Sequence, residues 1–296
     1  MQLCADGNAA VFRDTAREIA VRVTSHPNDQ RLSAWLADRL ATCGAPVLRP
    51  LEPAPRRVGD RFITLWPWCD APSESVDWRA LGGVARAVRE CTHEIVLNAR
   101  HDGVELPSFE QVFVDVLRGR AAQVEAADIV NGRDSERLTA FVDHSIDRLS
   151  STHGARVLAH GDLTPANLVV TSEGDLVAID LDKACLAPPA CDLAIPEFLH
   201  WFGYPAHIAQ AFRMGYGVSG VSDADVVAMA TFRAAYSLLS LGVRAPLEER
   251  ARVEFGRRIA ALRDGRGIEW RSIPKSSSLA APLGSTPTRH DSVRDR

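Results

Sequence analysis

The chain has 296 residues, 46% hydrophobic and 24% charged, with a formal net charge of −4. That length buries one large or two modest cores, and the acidic balance excludes an ordinary nucleic-acid binder, which carries a basic face. No apolar run in it suggests a bilayer span and no charged-then-apolar leader opens it, so a cytoplasmic protein with no membrane or nucleic-acid partner is expected.

Residues 1–68 read as a small β-rich lobe. Residues 9–13 and 19–23 are strands joined by Asp14-Thr15-Ala16-Arg17, with Gly7-Asn8 as a turn just ahead of them. Residues 28–43 form a helix: Leu32, Trp35, Leu36, Leu40 and Cys43 recur at helical spacing, Asn28 caps it and Gly44-Ala45-Pro46 ends it. Residues 61–66 make another strand, which runs into Pro67-Trp68.

Residues 69–274 read as a larger, mainly helical lobe. Asp77 caps a helix over 78–92, residues 98–107 form a polar connection, and helices follow over 109–127 and 135–150. His93, His101 and His144 lie in or beside these helices and read as surface groups. Further helices are expected over 191–201, 206–216, 223–241 and 247–263, with the apolar stretch 226–241 as the spine of the lobe. The Ser-rich tail 275–296 lacks periodicity and is expected to be disordered. The six cysteines form no C-x-x-C pair and sit at no zinc spacing, so they read as reduced thiols. Lysine occurs only at Lys183 and Lys275.

The stretch that carries chemistry is 157–180. A strand over 157–159 leads into a polar loop, His160-Gly161-Asp162, and on to Asn167. A hairpin follows, with strands 168–171 and 176–179 around the turn Ser172-Glu173-Gly174-Asp175, and then Asp180. With Thr171 opposite Leu176, Asn167 falls opposite Asp180, at a Cα separation of roughly 4.5–5.5 Å. An amide oxygen and a carboxylate so placed suit a hard cation such as Mg²⁺ shared with substrate phosphates.

An Asp followed five residues later by Asn, with a second Asp across a hairpin, is the order of a kinase catalytic loop. The wording His160-Gly161-Asp162, Asn167, Ile179-Asp180-Leu181-Asp182 and Asp192-Leu193-Ala194 resembles the aminoglycoside phosphotransferase and choline kinase-like family of small-molecule kinases. The resemblance implies a two-lobe, protein-kinase-like α+β fold, with a small mixed sheet whose first strand is short or missing. It implies ATP and Mg²⁺ as cofactors and a small-molecule hydroxyl acceptor. Asp162 would accept or orient the hydroxyl proton, Asn167 and Asp180 would hold the metal, and His160 and Asp192 would brace the loop.

By the same resemblance, the Gly7-Asn8 turn covers the nucleotide phosphates and Arg22 stands where kinases carry a phosphate-binding Lys. No lysine precedes Lys183, so Arg22 has no lysine substitute in this lobe. Trp68 is expected to offer its backbone N–H to adenine, because Pro67 has none. Aligning the first helix backward from Gly44-Ala45-Pro46 puts Ser33 where kinases place the Glu that pairs with the basic residue. Asp182 reads either as a contact to a second metal or cationic substrate, or as a solvated or capping acid, and Lys183 has no assigned role. The acceptor stays open among aminoglycosides, other antibiotics, amino alcohols and sugars. Glu197, Asp223, Asp225, Glu248 and Glu249 are candidate contacts for an amine-bearing one. An alternative is a nucleotide-binding regulator without turnover, motivated by the trimmed lobe, Arg22 and the absent Glu. A protein kinase is disfavoured, since no A-P-E follows and Asp180 to Asp192 leaves no room for an activation loop.

Overall fold

The computed structural model describes residues 1–6, 9–25, 27–72, 76–150, 155–217, 220–264 and 270–272. Gly7, Asn8 and the expected tail over 275–296 lie outside the described residues.

The small lobe is an antiparallel five-stranded sheet. Its strands are β1 (Gln2–Asp6), β2 (Ala10–Asp14), β3 (Ile19–Thr24), β4 (Arg56–Val58) and β5 (Arg61–Pro67), in the order β1-β2-β3-β5-β4. The first strand is therefore present, at five residues. Between β2 and β3, Asp14 closes the turn by accepting from the Ala16 N–H at 3.1 Å. Helix α1 (Pro27–Thr42) packs against β5, and its Leu36 and Leu40 are fully buried. Near its start the contact turns polar: Gln30 and Ser33 of α1 and Thr24 and Thr64 of the sheet are all buried. Buried polar groups need partners, and these lie next to the site described below.

The large lobe contains α2 (Trp78–Glu90), α3 (Thr92–Asp102), α4 (Asp115–Ala126), α5 (Gly132–Ser150), α6 (Ala190–Leu199), α7 (His207–Tyr216), α8 (Asp223–Arg244) and α9 (Glu249–Asp264). Two small ribbons sit against them: β6 (Val157–Ala159) with β9 (Cys185–Ala187), and β7 (Leu168–Val170) with β8 (Leu176–Ala178). Asp77 caps α2 by accepting from the Arg79 N–H at 2.9 Å. The polar connection expected from residue 98 is instead the end of α3, which runs to Asp102 and stops at Gly103, whose φ of 65° suits a left-handed cap. His93, His101 and His144 are exposed, and the six cysteines are free thiols.

Helix α8 is the spine, packed against α4, α5, α6 and α9, with Phe232, Leu238 and Leu239 fully buried. It is long and apolar enough to meet the length and composition of a membrane span, which the sequence reading had not picked out. Its apolar surface is taken up by neighbouring helices, as for a helix central to a lobe.

Two segments of the small lobe's chain, one after α1 and one after β5, dock on the β7–β8 hairpin. After α1, the Pro46 carbonyl accepts from Ala178 N–H at 2.9 Å and Leu48 N–H donates to Ala178 O at 2.8 Å. After β5, Asp70 O accepts from Val170 N–H at 2.9 Å. The hairpin is thus fixed relative to the sheet by backbone bonds on both of its strands.

Candidate active site

The loop after β6 is held from three elements. Asp192, buried in the first turn of α6, accepts from His160 N–H and Gly161 N–H, each at 2.9 Å. Gly161 has φ of 80°, and a Cβ there would lie 2.3 Å from the Lys183 carbonyl oxygen, so only glycine fits. From α8, Arg233 donates to Gly161 O at 3.1 Å and to Cys191 O at 2.9 Å. The fully buried His160 ring lies between loop and hairpin. Its Nδ1 accepts from Asp162 N–H at 3.3 Å, which assigns the proton to Nε2 for donation to Ile179 O at 3.0 Å.

This bracing aims Asp162 into the cleft. Its Oδ2 accepts from Lys183 Nζ at 2.7 Å. Burial pushes the Asp162 carboxyl up, but Lys183 foremost, with Arg233 and His160, together hold it below the ordinary carboxylate value. The single turn Pro165–Asn167 follows, and there Asn167 Nδ2 donates to Asp162 O at 2.7 Å. That bond spends the amide nitrogen on the loop and leaves the amide oxygen for another partner.

The hairpin register differs by one residue from the sequence expectation. Thr171 N–H donates to Asp175 O at 2.9 Å, so the connecting loop is Ser172-Glu173-Gly174, with Gly174 at φ 90°. A three-residue loop with a left-handed residue last is a common hairpin closure. Leu168 accordingly pairs with Ala178, and Asn167 O accepts from Ile179 N–H at 2.9 Å rather than facing Asp180. Asp180 lies one residue past the ladder at φ 63° and ψ 65°, a left-handed conformation that is strained for a residue with a side chain. Its carboxyl is pushed up by burial and by neighbouring Asp182, against the pull of Arg22.

Arg22 reaches across from β3. Its guanidinium grips both oxygens of Asp182, one at 3.0 Å and one closer, and touches Asp180 Oδ1 at 3.5 Å. Asp182, left open by the sequence, is thus the ion-pair partner of Arg22. The α1 residue beside Arg22 is Gln30, three residues before Ser33. With its amide turned to satisfy both neighbours, Gln30 donates to Thr64 Oγ1 at 2.7 Å and accepts from Arg22 Nε at 3.1 Å.

Trp68 does not offer its amide to the cleft, which corrects the hinge assignment. Strand pairing continues one residue past β5, so Trp68 N–H donates to Glu18 O at 2.9 Å, and the Arg13 guanidinium stacks on the indole at 4.4 Å. The next amide, that of Cys69, makes no hydrogen bond among the described residues. The candidate acceptor acids are each engaged by a neighbouring side chain. Glu197 and Asp223 pair with Arg213, Glu248 with Arg244 and Glu249 with Arg252, while Asp225 bonds the capping Ser222.

One cavity of about 780 Å³ joins these parts. Ala9, Arg22, Thr24 and Gln30 line it from the small lobe, Asp162, Asp180, Asp182 and Lys183 from the loop and hairpin, and α4 and α8 close the far side. Among the described residues no cluster of three or more His, Cys, Asp or Glu could hold a metal alone. A carboxylate at Asp180 and the spare oxygen of Asn167 fit Mg²⁺, which keeps most of its waters and takes phosphate oxygens for the remainder.

A model of the phosphotransferase enzyme family matches residues 6–229, well over half the chain. The chain belongs to the phosphotransferase enzyme family. No match is found among curated protein sequences. Solved structures share the fold across almost the whole chain. Spectinomycin phosphotransferase APH(9)-Ia, solved with ADP and spectinomycin, is 20% identical with a TM-score of 0.62, over 89% of this chain and 86% of its own. The GDP and kanamycin complex of APH(2")-IIia is 14% identical with a TM-score of 0.65, over 89% and 93%. Choline kinase LicA from Streptococcus pneumoniae is 13% identical with a TM-score of 0.60, over 89% and 94%. At such identities the likeness concerns the fold, an α+β arrangement with an N-terminal antiparallel sheet and a mainly helical remainder. Of the residues gathered at and beside this cavity, sequence reading missed Lys183, Arg233 and Gln30. The one available signal was for Lys183, the only lysine outside the tail.

Proposed function

We propose that the protein transfers the terminal phosphoryl group of ATP, with Mg²⁺, to a hydroxyl of a small molecule. The observation that carries this reading is the convergence of Asp162, Asp180 and Arg22 on one cavity from three separate segments. Phosphoryl transfer needs positioned reactants and neutralised charge more than covalent help from the protein.

Asp162 has one oxygen occupied by Lys183 and presents the other to the acceptor hydroxyl, orienting it and taking its proton as the new P–O bond forms and the bond from the γ-phosphorus to the β,γ-bridging oxygen breaks, releasing ADP. Lys183 holds the carboxylate in place and keeps it ionised. Asn167 and Asp180 would hold Mg²⁺, which supplies positive charge against the phosphate oxygens when bound. Arg22, oriented by Gln30, exchanges part of its grip on Asp182 for phosphate oxygens, a role suited to its fixed fork of donors. Cys69 takes the hinge-donor part first given to Trp68. His160, Asp192 and Arg233 keep the loop in register and touch no reacting atom.

Two variants separate the steps. Asp162→Asn should lower turnover by roughly 10²–10⁴-fold and leave ATP binding in place. Asp180→Asn should weaken Mg²⁺-dependent ATP binding itself, because a carboxylate ligand is lost. Calorimetric titration with ATP and Mg²⁺, beside an ATP-consumption assay over hydroxyl acceptors, reads both. Tight ATP binding with no phosphorylated product from any acceptor would favour a nucleotide-binding regulator instead.

A further inference from the structure

The wall of the cavity opposite the small lobe has a character of its own. Tyr236, Ser240, Val243 and Arg244 recur at helical spacing and put one face of α8 on the cavity, and Arg120 of α4 joins them. Arg120 is fixed there by neutral groups. Its guanidinium donates to Ser240 Oγ at 2.6 Å and lies over the Tyr236 ring at 4.2 Å, while Ser240 Oγ is anchored to Tyr236 O at 2.7 Å. Among the described residues, no carboxylate pairs with Arg120. Lys183 Nζ lies 6.0 Å from the same ring, so the basic surface runs on to Asp162. Arg244 adds charge at the far end, shared with Glu248.

The acids of the cavity are all on the other side. Asp162 faces Lys183, Asp182 faces Arg22, and Asp180 stands beside them; none belongs to α4 or α8. In-line transfer puts the acceptor on the side of Asp162 away from the nucleotide phosphates, and that side is the α4–α8 wall. At Arg120 a polycationic amino sugar or a quaternary amine would meet a guanidinium with no carboxylate paired to it among the described residues, the one acid at the far end, Glu248, being held by Arg244. An anion would meet a planar fork with donors to spare, already oriented by Ser240 and stacked on Tyr236.

We propose that the acceptor is an anionic hydroxy compound, one whose carboxylate or phosphate group docks on Arg120 while its hydroxyl faces Asp162. This rests on the reading of Asp162 as the group that orients the hydroxyl. The two anion types share one recognition chemistry, and the assay arms separate them.

The test uses the full chain saturated with ADP and Mg²⁺, so that the phosphate side is filled. Gluconate and glycerol 3-phosphate are the anionic probes, kanamycin and choline the cationic ones, and glucose the neutral one. Calorimetry should show binding of at least one anionic probe, weakening with added salt, and none of the cations. In the ATP-consumption assay with the better anionic probe, Arg120→Gln should raise KM about 10–100-fold and change kcat far less. Arg120→Lys keeps the charge and should recover part of the loss. Preference for kanamycin, choline or glucose, absence of anion binding to the ADP-saturated protein, or a KM unchanged in a folded Arg120→Gln would each overturn the assignment. The binding arm needs no turnover. A protein that binds these anions through Arg120 but consumes no ATP would sink the phosphotransfer reading and leave the basic wall standing.

Discussion

Lys183 sits at 2.7 Å from the Asp162 carboxylate, proposed to face the acceptor, and comes from a single helical turn twenty-one residues beyond it. Lys183→Met keeps most of the stem and removes the charge, leaving Asp162 without its nearest counter-ion. Removing a charge-assisted hydrogen bond of this kind should lower kcat/KM by about 10–100-fold. ADP–Mg²⁺ affinity should stay within a few-fold, and a comparable fall in that affinity would instead place Lys183 among the nucleotide contacts. Residue by residue, what the sequence could single out was what lies close along the chain: the candidates Asp162, Asn167 and Asp180 fall within nineteen positions and carry their spacing with them. Arg233 acts on Gly161 from 72 positions away and Gln30 reaches Arg22 from a separate element, with no local pattern to mark either. Trp68 was misjudged because the amide it seemed to leave free is consumed by one further step of strand pairing to Glu18.

Among elements, the hairpin and the last helix show different dependences. The strands of the hairpin were legible from their apolar runs, but register depends on how the loop closes. The Thr171–Asp175 bond shifted every pairing by one and put Asp180 past the ladder, in a left-handed conformation. Helix α9 was equally legible, yet its attachment was not. Glu254, buried, accepts from Arg258 Nε at 2.8 Å, Arg257 Nε at 2.8 Å and Arg271 N–H at 2.8 Å, and Arg258 stacks on Trp270 at 4.2 Å. Burial pushes the Glu254 carboxyl up, but the hydrogen bonds from Arg257 and Arg258 bring it below its ordinary value of 4.5. A folded value below the unfolded one gives a stabilisation present in full above the unfolded pKa of 4.5 and lost as pH falls through the folded value. Thermal melts of the wild type should therefore drop on acidification from about pH 5 to about pH 3. Glu254→Gln should start lower and drop less over the same interval; parallel curves would remove Glu254 from the acid response.

At the scale of the whole molecule, the small lobe is joined to the rest by the backbone bonds of residues 46–48 and 70 to the hairpin and by the Arg22–Asp182 ion pair. None of these survives if either lobe opens alone, so the lobes should unfold together. Tryptophans report on both parts, with Trp66 and Trp68 in or beside the sheet and Trp201 and Trp270 against the last helices. Urea titrations followed by tryptophan fluorescence and by far-ultraviolet circular dichroism should share one midpoint, and two separated midpoints would mean lobes of independent stability. The two-lobe plan itself was readable because each lobe declares its own periodicity, two residues for strands and three to four for helices. Their mutual seating was not, since it is made by scattered main-chain groups and by side-chain pairs distant in sequence, such as Arg22–Asp182. Finally, the scarcity of lysine gives the molecule a practical property. Apart from the terminal amine and Lys275, the chain has a single primary amine, and it stands in the cleft beside Asp162. An amine-directed acylating nucleotide should therefore modify one residue in the span 2–272. Peptide mapping by mass spectrometry should place that label on Lys183, and excess ATP with Mg²⁺ should suppress it, turning one side chain into an occupancy gauge for the cleft that works without knowledge of the acceptor.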